Sequence, residues 1–228
     1  MKLRRAIEGF YSFLSQPLYP WARVVLAVLV VPLVLSLTQP LWQIFLVAPQ
    51  YPEGLRMDIY AYKLDGGNDG HDIAEINGLN HYIGMRKIDR SELADLDWLP
   101  FALGAMALLA LRVAVVGDVR SLLDLAVISN YVFLFSLGRF YYKLYNFGHH
   151  LDPTAPVKIK GFTPGLLGVK QIANFTTHSW PQAGTYLAAT FTGGVVVLLA
   201  WHLIAGRFAA ARAERQAITG PEKADARA

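Results

Sequence analysis

Four long apolar blocks dominate this sequence and restrict what it can fold into more than any other feature. They occupy residues 24–47, 98–116, 122–145 and 186–205, each close to the roughly 20 residues a helix needs to cross a bilayer. With 54% hydrophobic residues and a mean hydropathy of +0.33, the chain is too apolar for an ordinary soluble domain. The reading is therefore an all-α membrane protein with four transmembrane helices. Block 24–47 is longer than the 7–15-residue core of a signal peptide, and Pro49 follows where cleavage would be expected, so an uncleaved helix is expected there. Pro32 and Pro40 lie inside it and should kink it.

Charge orients the bundle. Lys2, Arg4, Arg5 and Arg23 stand before or at the start of the first block, and Arg207, Arg212, Arg215, Lys223 and Arg227 follow the last. Between the first two blocks, residues 49–97 carry ten acids and five bases. Basic segments stay inside. Both termini are expected in the cytoplasm of a bacterial inner-membrane, multi-pass protein, with loops 49–97 and 146–183 outside. The organisation becomes an interfacial segment 1–23, a membrane domain 24–206 and a cytoplasmic tail 207–228 that frays after Gly220-Pro221. The net charge of +4 fits contact of these ends with the lipid bilayer and not a nucleic-acid surface.

The outer loops are too long to be plain connections. Residues 55–63 alternate apolar and polar side chains as a half-buried strand does, and the Gly/Asp/Asn-rich run 65–70 is turn chemistry. Residues 156–162 read as a second short strand, able to pair with the first. The expectation is a small outer cap formed by two long loops, with short β-strands in it.

Five of six histidines, His71, His81, His149, His150 and His178, fall in these loops or at an outer helix end. His81 and Met85 are four apart, one face of a helix if the stretch is helical, and imidazole with thioether suits Cu(I). His150 and His178, ahead of His149, are candidate third ligands. Each alone also reads as a surface or structural residue. His202, near the inner end of the fourth block, reads as structural. It lies too deep to share a haem iron with His149 or His150. Arg112, near the inner end of the second block, reads as a snorkelling side chain that Asp118 or Asp124 could pair with. Arg139 and Lys143 share a helical face near the outer boundary, as interfacial anchors or as a basic lining able to hold an acid from loop 49–97. No nucleophile–base pair, phosphate loop or carboxylate pair stands in recognisable context, so no enzymatic activity is expected. With no cysteine there is no thiolate site.

The strings Tyr51-Pro52-Glu53-Gly54-Leu55, Ile76-Asn77-Gly78-Leu79-Asn80-His81-Tyr82-Ile83-Gly84-Met85, Phe162-Thr163-Pro164 and Ile172-Ala173-Asn174-Phe175 resemble a family of bacterial four-helix membrane proteins associated with nitrous-oxide-reductase gene clusters. The resemblance implies a copper-handling accessory role for a periplasmic copper enzyme, with copper held through His81 and Met85. The other reading is a structural or docking subunit beside other membrane subunits of an electron-transfer complex.

Overall fold

The computed structural model describes residue 11, residues 14–172 and residues 174–225, with side chains to residue 206. The predicted interfacial segment and the N-terminal charges fall largely outside the described residues.

Helix α1, Pro20–Leu35, opens with proline in its first turn, where the missing N–H costs nothing. It is shorter than expected. Its 16 residues span about 24 Å, and the rest of block 24–47 does not continue it. Pro40 cannot extend a helix and biases Gln39 away from helical angles. Beyond this break the chain enters strand β1, Trp42–Ala48. Its aromatic and β-branched residues suit a pleated surface, and an apolar run this short carries no periodic signal that separates a strand from a buried helix.

β1 is the centre of a five-stranded antiparallel sheet ordered β3-β2-β1-β5-β4. The other strands are β2 (Tyr51–Ile59), β3 (Leu64–Gly66), β4 (Gly168–Ile172) and β5 (Phe175–Pro181). β2 begins four residues earlier than the predicted strand. Residues 156–162 form no strand, and the expected pairing with 55–63 is replaced by separate pairings of β2 and β5 with β1. The two outer segments thus join through a strand whose apolar sequence resembles a span. Helix α2, His71–Tyr82, covers one face of the sheet, burying Ile76 among Leu46, Leu55 and Met57.

Below the cap stand helices α3 (Asp95–Val116), α4 (Val119–His149) and α5 (Ala183–Asp225). α3, α4 and residues 183–206 of α5 are long and apolar enough to cross a membrane. α5 continues past Gly220-Pro221 to Asp225, beyond the predicted fraying point. Asp118 caps α4, its carboxylate accepting from Ser121 N–H at 2.7 Å. Arg23 reaches from α1 to the C-terminal carbonyls of α3, donating to Ala114 O at 2.7 Å, and so satisfies groups that have no partner within their helix. Leu26 and Leu33 of α1, Leu122 of α4 and Phe191 of α5 fill the bundle interior, each 1% exposed or less. Outward, Val24, Val28, Phe101, Leu108, Val127 and Val197 are exposed. Such an apolar belt is compatible with a lipid bilayer around the helices. His202 is buried, one ring nitrogen 2.7 Å from Leu198 O and the other 3.4 Å from Tyr19 N.

Candidate functional site

Most of the string around His81 acts as a joint between the two outer segments. α2 stops at Tyr82, and Gly84 takes φ +76°, a left-handed turn that glycine adopts without steric cost. Gly84 O then accepts from Asp152 N–H at 2.8 Å, and Tyr82 O from Val157 N–H at 3.0 Å. Asn77 grips the returning chain with both ends of its amide. It donates to Ile88 O at 3.0 Å and accepts from Ile88 N–H at 2.7 Å.

The turn separates the two expected copper ligands. His81, in the last turn of α2, is exposed, whereas Met85 follows the left-handed residue and packs into the apolar core of the cap. The helical face expected to carry both ends before Met85. His81 sits by Asp152, whose carboxyl lies below its ordinary range because the Thr154 hydroxyl and amide donate to it and because His81 contributes positive charge. His149 is the last residue of α4. It is exposed and stacked on Tyr145, with its Nδ1 3.0 Å from Tyr145 O. His150 Nδ1 lies 3.3 Å from Asn146 O. His178 belongs to β5 between buried Thr177 and Ser179, so it points to the opposite face of the sheet from them. It meets the Phe45 ring edge-on at 6.2 Å. His81 therefore stands beside Asp152, while Met85 packs in the apolar core of the cap and His178 lies on the sheet. Among the described residues, no three of His, Asp and Glu converge on one point.

The site that geometry does form lies underneath. Between the inner face of the sheet, α2 and the outer halves of α3, α4 and α5 is a cavity of about 250 Å³. Trp42, Ile44 and Met57 roof it; Leu103 and Met106 of α3 and Val132 and Phe140 of α4 wall it. The hydroxyls of Ser129, Ser136, Thr177 and Thr185 in its lining donate to backbone carbonyls of the protein itself. Gly148 lets the chain at Phe162 come close to the end of α4. Phe162 N–H donates to Gly148 O at 2.9 Å, and a Cβ on Gly148 would lie 1.8 Å from Phe162 O.

Three charged groups line the cavity. Asp95, at the start of α3, receives both Nε and an Nη of Arg139 at 3.0 and 3.2 Å, and Trp98 Nε1 at 2.9 Å. Lys143, one turn on, donates to Glu92 O. The basic face predicted on α4 is thus a lining that holds an acid of loop 49–97. One further polar group is absent from the candidates read from the sequence. Asn80 is 3% exposed and lines the cavity, and its Nδ2 has no hydrogen-bond partner among the described residues. The sequence carries a signal for it, since 72, 76 and 80 fall four apart on one helical face, and all three are buried.

The chain matches no protein-family model, no curated protein and no solved structure, so these comparisons identify neither the nitrous-oxide-reductase-associated family nor any other.

Proposed function

We propose that this chain is a multi-pass membrane protein of accessory, non-catalytic type that holds an amphiphilic, lipid-like molecule between its outer cap and its helices. The observation that carries the reading is the nearly all-apolar cavity of about 250 Å³ where the cap meets the helices. It exceeds the roughly 150 Å³ of a dry apolar cavity known to accept benzene, and a pocket with few polar groups suits a ligand with a large apolar part. In this reading α1 is the fourth crossing, both termini face the cytoplasm and the cap faces outward, in keeping with the acid-rich loop 49–97. The test is lipid extraction and native mass spectrometry of the full chain in mild detergent, beside Val132→Trp, which fills the cavity. About one amphiphile per chain is expected on the wild type and loss from the variant. Equal occupancy of the two, or no retained amphiphile, overturns the reading.

A second reading, a copper-handling accessory for a periplasmic copper enzyme, is favoured by one observation. His81 stays exposed beside the Asp152 carboxylate. Copper analysis of purified wild type against the His81→Ala, Met85→Ala double variant tests it. Background copper in the wild type removes it.

A further inference from the structure

The geometry points to a carbonyl oxygen on the bound amphiphile, received by the side-chain amide of Asn80. This rests on the cavity being a ligand site and adds what the ligand must carry there.

Asn80 is placed by strong local constraints. Its own backbone carbonyl accepts from Met85 N–H at 2.8 Å and from Ile83 N–H at 3.2 Å, closing the end of α2, so the residue cannot swing outward without undoing the joint. Its side chain is consequently held inside, next to the cavity, with the residue only 3% exposed. An amide N–H₂ held away from water without an acceptor costs about 1–3 kcal/mol. Leucine at this position would avoid the cost, since Ile73 and Ile76 of α2 and Ile83 just past its end are apolar neighbours in the core of the cap. A donor retained there asks for an acceptor.

Two candidates could meet it. A buried water needs two to four polar partners, and this end of the cavity, against Ile76, Met57 and Met85, supplies few. A ligand acceptor needs only Asn80. A carbonyl on an otherwise apolar molecule fits, because it accepts one or two hydrogen bonds and has no donor to satisfy in return. A free carboxylate or phosphate would bring a full charge against a neutral amide in an apolar surround, a far costlier burial. Such charge belongs, if anywhere, near Arg139 and Lys143. The matching chemistry is a carbonyl joined to a long apolar tail, found both in an isoprenoid quinone head and in the ester of a phospholipid.

The experiment uses the full chain in detergent and three probes: decyl benzoquinone, a diacyl phosphatidylethanolamine, and decylbenzene, which has the ring and tail but no carbonyl. Wild type should bind at least one carbonyl probe more tightly than decylbenzene. Asn80→Leu should weaken that probe about tenfold, leave decylbenzene unchanged, and raise the melting temperature of the empty protein by removing an unpartnered donor. Asn80→Ser, a smaller donor, should recover part of the affinity. Dependence on Asn80 for the quinone or for the phospholipid identifies the source. If decylbenzene binds and the carbonyl probes gain nothing from Asn80, the carbonyl inference falls while the cavity reading stands. If no probe binds, both fall.

Discussion

Replacing Gly84 by alanine separates the cost of a left-handed backbone from the cost of forcing two segments apart. At φ +76° an L-residue loses about 1–2 kcal/mol relative to glycine. The added Cβ would also stand 2.8 Å from Asp152 O, 2.9 Å from Asp152 N and 3.0 Å from the Cβ of Ala155. Two of these neighbours are backbone atoms, so the strap around residue 152 must move, and the 2.8 Å bond from Asp152 N–H to Gly84 O is strained or lost. That bond adds about 0.5–1.5 kcal/mol, for a total of about 1.5–3.5 kcal/mol. Gly70 provides the control. It has φ +91°, but a Cβ there meets nothing within 4 Å, so Gly70→Ala should show only the backbone part, about 1–2 kcal/mol. Thermal unfolding of the full chain in detergent gives the two stabilities, and hydrogen exchange over residues 150–157 reports the strap. Gly84→Ala should be the more destabilising and should deprotect 150–157. Equal destabilisation with unchanged protection would refute the idea that this glycine joins the two outer segments.

Two further outcomes concern ion pairing and carboxylate capping in the cap. Asp95→Ala should destabilise by about 1–2 kcal/mol, between an exposed pair and a buried one, because it removes the partner of Arg139 and of Trp98 Nε1 while the Asp95 and Arg139 side chains are 21% and 36% exposed; a melting curve superimposable on wild type would show the pair to be idle. The carboxyl of Asp152 is held below its ordinary value of 3.8 chiefly by the Thr154 hydroxyl, so its contribution is present above that pH and is lost as pH falls through the lower folded value. Exchange of the Thr154 amide should therefore stay slow near neutrality and gain an acid-promoted opening below about pH 3.8 that Asp152→Asn lacks, and an identical profile in both proteins would contradict this assignment.

The long apolar helices are legible in the residues alone. α3, α4 and the first part of α5 come from uninterrupted apolar length, which is a local property, and the basic face of α4 beneath an acidic loop is visible as charge spaced along a helix. The same local reasoning fails at residues 42–48, because a short apolar run carries no mark that distinguishes the end of a span from a buried strand. Only the pairing of that run with β2 on one side and β5 on the other makes it the centre of a sheet. The site divides in the same way. His81 and Met85 are four apart in sequence, but a single left-handed residue between them sends one to solvent and the other into the core. The cavity and the buried Asn80 amide arise only where cap, α2 and three helices meet, and contacts among residues so far apart in the chain leave no periodic trace in it.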